Sequence, residues 1–260
     1  MSASIDISFT EVALSLVLVA IAIVASRWRN AGLEEDIAVA VARSFVQLTA
    51  IGYVIDLIFD QDSAALVIAL LAVMVVFGAL TARSRASRVP GALVPLLIAL
   101  SLAAVTTLGL VLILGIIEPE PRFVVPVGGM VIGNAMTAAA VALNRLGEDV
   151  SDSAHRIEAT LALGATSSQA VAPLVQRSLR SGMITLVDST KTTGLIFFPG
   201  TMVGMLLAGA DPVDAVRLQL ILLYALLGSV AIAALTATTM ARRNFFTPAH
   251  QLREPPTPGP

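Results

Sequence analysis

Cysteine is absent from the 260-residue chain, and histidine occurs only as His155 and His250. Without thiols there is no disulfide, no iron–sulfur ligation and no thiolate zinc site. Both histidines fall outside the apolar runs, so no intramembrane histidine site exists. Charge is also scarce. Asp, Glu, Lys and Arg make up 13% of the residues, against about 25% in a typical soluble domain. A soluble globule with a solvated surface is therefore excluded. No GxxxxGK[ST] loop is present, so the chain carries no phosphate-binding loop for ATP. Paired carboxylates within one span and a Ser/His arrangement are also missing, which argues against a membrane-embedded enzyme. The net charge of −2 is uninformative by itself, the placement of the charges matters more, and no nucleic-acid partner is expected. Residues 1–10 lack a basic n-region and carry Asp6, with Glu11 following, so this end reads as mature sequence rather than a signal peptide.

What is present is apolar: 57% of the residues are hydrophobic. About 20 mostly apolar residues make a membrane-crossing helix. Seven runs qualify, near 9–25, 37–59, 64–82, 90–117, 123–143, 183–209 and 215–241. The predicted fold is all-α and polytopic, with about seven transmembrane helices and a short helical cytoplasmic loop. One transmembrane domain covers 1–246, and the Pro-rich stretch 247–260 reads as a disordered tail. Pro95 predicts a tilt or kink in the long fourth run.

Arginine placement orients the chain. Arg27 and Arg29 follow the first run, Arg83, Arg85 and Arg88 the third, Arg145, Arg156, Arg177 and Arg180 the fifth, and Arg242, Arg243 and Arg253 the seventh. The alternate loops are short or acidic, with Asp60, Asp62, Glu118, Glu120, Asp211 and Asp214. The positive-inside rule then predicts an outside N-terminus and a cytoplasmic C-terminus.

The only sizeable polar segment lies near 147–182. Good helix formers run from His155 to Leu163, Gly164 is a C-terminal stop, and a second helix starts near Ser168. Glu158 and Leu161 share a turn, and Ala159, Ala162 and Leu163 form a small apolar surface that lets a partner approach closely. Two roles remain open on spacing alone: a docking element, or an amphipathic linker on the membrane.

Glu158-Ala159, followed by Gly164, resembles the EAA-type coupling loop of ABC transporter permeases, with Thr160 where that motif usually has Ala. Further segments narrow the resemblance. They are Arg43-Ser44-Phe45-Val46-Gln47-Leu48 with Gly52-Tyr53-Val54, Gly129 through Met136, Leu161 through Thr166, Asp188 through Leu195, Pro199 through Met205, Asp211-Pro212 and His250-Gln251-Leu252. Taken in order, they resemble the FetB-type iron-export ABC permeases and their plant aluminium-tolerance relatives. That resemblance implies a coupling surface of Glu158, Ala159, Leu161, Leu163, Gly164, Ala165 and Thr166. It also implies a separate cytoplasmic ATPase that binds ATP and Mg, two permeases with two ATPases, no cofactor on this chain, and a place in the bacterial inner membrane.

Polar groups inside a span need a partner or a purpose. Arg43, Asp188 and Lys191 lie at similar predicted depths, with Gln47 near Arg43; Asp188 and Lys191 share a helix face. They are expected to form one charge cluster, acting as a structural lock or as a gate. Two cations beside one Asp make a poor metal site. Met130 and Asn134 share a face that Thr137 extends, as do Met202 and Met205. Thioethers suit soft metals but also fill irregular packing gaps, so these residues read as packing or as pathway lining. Gly129 and Gly133 form a GxxxG helix-contact pattern. Pro199-Gly200 predicts an interruption of the sixth run, at an outer gate. Asp56, Asp60 and Asp62 form an acidic edge near the outer mouth. The rival to an ATP-driven permease is a secondary transporter or channel, and a third class is a membrane scaffold. No residue set names a metal.

Overall fold

The computed structural model describes residues 9–61 and 63–253. The chain divides into two compact units, Met1–Ser63 and Ala64–Pro260.

In the first unit, α1 (Phe9–Arg29) and α2 (Glu34–Gln61) pack on each other. The turn between them is built on Ser26. Its hydroxyl donates to Glu34 Oε1 at 2.9 Å and accepts from the Leu33 amide at 3.1 Å. Asn30 and Gly32, at φ 51° and 68°, reverse the chain. These helices expose long apolar side chains such as Leu14, Leu18, Leu48 and Tyr53. Such surface calls for lipid or neighbouring helices rather than water.

The second unit contains α3 (Ala64–Arg85), α4 (Leu93–Ile113), α5 (Pro121–Asp152), α6 (Ala154–Ala162), α7 (Ser167–Thr192), α8 (Gly200–Leu207) and α9 (Pro212–Ala241). A 3-10 turn, Arg242–Phe245, follows. Helix α5 is the central post and packs against α3, α4, α7 and α9. Small residues make this possible. Ala79, Ala99, Ala135, Ala139, Ala233 and Ala237 are fully buried, as expected where close backbone approach replaces a hydrophobic driving force. Gly129 of the GxxxG pattern faces Met74, while Gly133 meets open space. The tightest approaches are instead at Gly128, Gly147 and Gly182.

Among the described residues, six helices are long and apolar enough to cross a membrane: α1, α2, α3, α4, α5 and α9. The difference from seven lies in the run 183–209, which is not one helix. It comprises the last turns of α7, a non-helical stretch 193–199, and α8. The break begins at Thr193, ahead of the expected Pro199-Gly200, and Pro199 serves as the N-cap of α8. Gly194, at φ 87°, turns the chain, and its amide bonds the Phe197 carbonyl at 2.9 Å. The Thr192 and Thr193 hydroxyls donate to the Asp188 and Ser189 carbonyls, and the Thr193 amide also bonds the Ser189 carbonyl at 3.0 Å. Pro95 sits in the first turn of α4, where it needs no kink. The prolines inside helices are Pro126 and Pro173.

Candidate coupling surface and solute pathway

The polar segment folds as a helix, a glycine joint and a second helix that runs unbroken toward the membrane. Helix α6 ends at Ala162, and Gly164 takes φ 89°, a left-handed value that favours glycine. Thr166 then caps α7 in a reciprocal box: its hydroxyl accepts from the Gln169 amide at 3.3 Å, and Gln169 Oε1 accepts from the Thr166 amide at 2.9 Å.

Helix α6 has two faces. Ile157 is buried in the apolar cluster that holds Val150, Val171, Leu174, Phe245 and Phe246, and Leu161 packs partly against it. On the other side Glu158, Ala159, Ala162 and Leu163 are exposed, Leu163 at 89%. Gly164 and Thr166 are exposed beyond them, and Ala165 is half-buried. Glu158 has no ion-pair partner among the described residues. An exposed leucine flanked by small residues, on a helix held rigid from behind, is a surface ready for a protein partner.

Of the expected charge cluster, Asp188 and Lys191 pair at 2.8 Å, one turn apart on α7. Arg43 and Gln47 belong to α2 in the first unit and are exposed there. The Asp188 and Lys191 side chains are 58% and 66% exposed. Gln176, Arg177, Arg180, Ser181, Thr185 and Thr192 continue their face as a polar stripe along α7. Such a stripe cannot lie against lipid; it lines water or meets another polypeptide. The i, i+4 spacing of Arg177, Ser181 and Thr185 is the sequence signal of that stripe.

The neighbouring face of α5 matches it. Asn134 Nδ2 donates to the Met130 carbonyl at 2.9 Å, and the Thr137 hydroxyl to the Gly133 carbonyl at 3.1 Å. Toward the other end of α5, Asn144 bonds Glu148 at 3.0 Å, and Arg145 reaches the nearly buried Asp149 at 3.0 Å. Arg85, Val141, Asn144, Arg145, Glu148 and Ser181 line a cavity of about 340 Å³ that bridges the α5 and α7 stripes. The Thr201 hydroxyl lies 3.9 Å from Met130 Sδ, which brings the start of α8 to this face. Met202 and Met205 are half-buried on α8, and Gly200 is exposed at its start. Among the described residues no cluster of three or more His, Cys, Asp or Glu could hold a metal. Asp62 and the side chains of Asp56 and Asp60 lie outside the described residues.

The model of the uncharacterised protein family UPF0014 matches residues 9–246. The chain belongs to the UPF0014 family. It is 36% identical over 247 residues to the probable iron export permease protein FetB of Escherichia coli K12, covering 95% of each chain. It is 37% identical over 243 residues to the protein ALUMINUM SENSITIVE 3 of Arabidopsis thaliana, covering 93% of this chain and 88% of that one. The UPF0014 membrane protein YjkA of Bacillus subtilis is 34% identical over 246 residues, covering 95% of this chain and 98% of the relative. No solved structure matches. The UPF0014 relationship agrees with the resemblance read from the motifs, and this member is a multi-pass, all-α membrane protein.

Proposed function

We propose that this UPF0014 protein is the permease subunit of an ABC transporter that exports metal ions, iron among them. The observation that carries the proposal is the α6–Gly164–Thr166 element, which is anchored by Ile157 and presents Glu158, Ala159, Leu163 and Gly164 outward. A rigid exposed helix at the end of a membrane bundle can pass an ATPase's movement to that bundle. In this proposal a separate cytoplasmic ATPase binds ATP and Mg, and two permeases assemble with two ATPases. The end of α7, residues 193–199 and α8 together make a seventh, broken crossing, so the arginine-rich loops and the C-terminus are cytoplasmic and the N-terminus is outside. Iron as substrate is supported by the similarity to the E. coli probable iron export permease protein FetB.

The polar faces of α5 and α7 supply a solute path. Met130, Asn134, Thr137 and Thr201 line its α8 end, and Asp188 and Lys191 stand beside it as a gate that opens when their pairing is exchanged for other contacts. The break at 193–199 gives α7 and α8 freedom to move separately.

The test is ATP hydrolysis by the cognate ATPase, co-reconstituted with the permease in liposomes, with Fe(II) added. Metal-stimulated hydrolysis that is lost in Ala159→Trp is the expected result. Metal movement across the bilayer without any ATPase would overturn the proposal in favour of a secondary transporter.

A further inference from the structure

The chain does not leave the protein at the end of α9. Phe245 and Phe246 turn inward and are buried, and Leu252 packs against the same cluster that holds Ile157 of α6. Between them residues 246–252 close a hook. Phe246 and Leu252 form an antiparallel bridge, the Thr247 amide bonds the Gln251 carbonyl at 2.9 Å, and the Arg253 amide bonds the Phe245 carbonyl at 2.8 Å. Asn244 ties the base of the hook to the Pro90 carbonyl at 2.9 Å.

The tip of the hook is held in an unusual state. His250 has φ 58°, a left-handed conformation that a non-glycine residue seldom adopts. Its Nδ1 lies 3.1 Å from the hydroxyl of Ser167, the first residue of α7 and so part of the coupling element itself. Backbone strain of this kind persists where the surroundings over-determine it, and it clusters at functional sites.

Between hook and α6 lies a cavity of about 360 Å³, lined by Glu158, Leu161 and Ala165 on one side and Ala249, His250, Gln251 and Leu252 on the other. Glu158, Leu161 and Ala162 are spaced i, i+3 and i+4 and form one stripe along α6, and Ala165 follows beyond the Gly164 joint. The exposed Ala162 and Leu163 follow Leu161, a lining residue, directly in the chain.

We propose that the C-terminal hook is the second wall of the ATPase-docking cleft, so that the cytoplasmic ATPase contacts His250 and Gln251 as well as α6. This rests on the permease reading above. The occupant is a polypeptide segment with a hydrogen-bond donor or cation for the unpaired Glu158 carboxylate and with small apolar side chains for Leu161, Ala165 and Ala249. The same partner covers the exposed Leu163, which a small molecule in the cavity would leave bare. Phe245, Phe246 and Leu252 pack inward while Ala249, His250 and Gln251 are exposed, so the hook presents its tip rather than merely plugging a gap.

The test measures ATPase binding to the full-length permease in nanodiscs. Three proteins are compared: unaltered, Ala159→Trp and Gln251→Trp. The Gln251 side chain is exposed, and only its backbone takes part in the hydrogen bonds of the hook. Both substitutions are expected to weaken binding at least tenfold. A second readout uses the absence of native cysteine. Maleimide labelling of Gln251→Cys should slow at least fivefold when the ATPase is added, and labelling of Arg243→Cys should not. If Ala159→Trp weakens binding while Gln251→Trp binds normally and Gln251→Cys labels at an unchanged rate, the hook proposal is overturned and the permease reading stands. If the unaltered protein binds no ATPase, both fall. Should Gln251→Trp misfold, the labelling result decides alone.

Discussion

Gly182 of α7 lies so close to Ala138 of α5 that a Cβ there would stand 2.6 Å from the Ala138 carbonyl oxygen. It would also meet the Ala142 Cβ at 2.9 Å. Neither neighbour is the flexible end of a long side chain, so the helices themselves would have to separate. Gly182→Ala should destabilise the protein by about 1–3 kcal/mol, the usual range for overpacking. Gly133 offers an internal comparison, since a Cβ there meets nothing within 4 Å. Gly133→Ala should leave the protein unchanged or stabilise it by up to about 1 kcal/mol through helix propensity. Thermal melting in detergent reads both, and equal losses at the two positions would contradict the packing described.

The start of α7 depends on one hydroxyl. Thr166→Ala removes the acceptor for the Gln169 amide and should cost about 1 kcal/mol. Thr166→Ser keeps the acceptor and should cost little. Because the cap joins α6 to α7, hydrogen exchange at the first amides of α7 is the more direct readout. It should quicken in the alanine variant alone.

Much of this element was legible in the sequence because its signals are local. Gly164 stops one helix and a second opens near Ser168, and the structure has both, with Thr166 as the cap of a helix that starts at Ser167. The interruption of the sixth run was legible only in part. Leu195, Ile196, Phe197 and Phe198 are apolar, so a hydropathy window passes over a stretch that is not helical. Polar composition misled at the chain's end in the opposite way. Residues 247–253 look like a loose tail, yet Phe245, Phe246 and Leu252 anchor that segment among buried side chains. The approach of Thr201 to Met130 joins positions far apart in sequence, and no local pattern announces it. The resemblance to FetB-type permeases, by contrast, is carried by short ordered segments spread over nearly the whole chain, and order survives where single motifs are weak.

The Asp188–Lys191 pair distinguishes a gate from a lock. On an exposed helix surface in water such a pair is worth about 0.3–0.5 kcal/mol, too little to fix helix positions. At membrane depth, removing one partner leaves a charge that costs about 2.5–3.5 kcal/mol on insertion scales. Asp188→Ala should therefore reduce transport strongly while Lys191 seeks another partner. The double exchange Asp188→Lys with Lys191→Asp keeps the pair and should recover much of the rate. Metal efflux from proteoliposomes, normalised to inserted protein, measures this. Recovery of folding without recovery of efflux would point to a gate that senses which residue carries which charge.

Ile157 and Leu163 sit on opposite sides of α6, and they should fail in opposite ways. Ile157 is 1% exposed and shares its cluster with residues from α5, α7 and the chain's C-terminal end. Ile157→Ala should cost about 2–5 kcal/mol of stability, as other buried isoleucine truncations do. Leu163 is 89% exposed and rests on little of its own chain. Leu163→Asp should change stability by no more than about 0.5 kcal/mol, in line with surface substitutions. It should nevertheless weaken ATPase binding and uncouple hydrolysis from metal, because an apolar anchor becomes a charge at an interface centre. Melting temperature and metal-stimulated ATP hydrolysis, measured on the same two variants, separate the outcomes. If Leu163→Asp melts normally and hydrolysis remains metal-stimulated, the outer face of α6 does not carry the coupling.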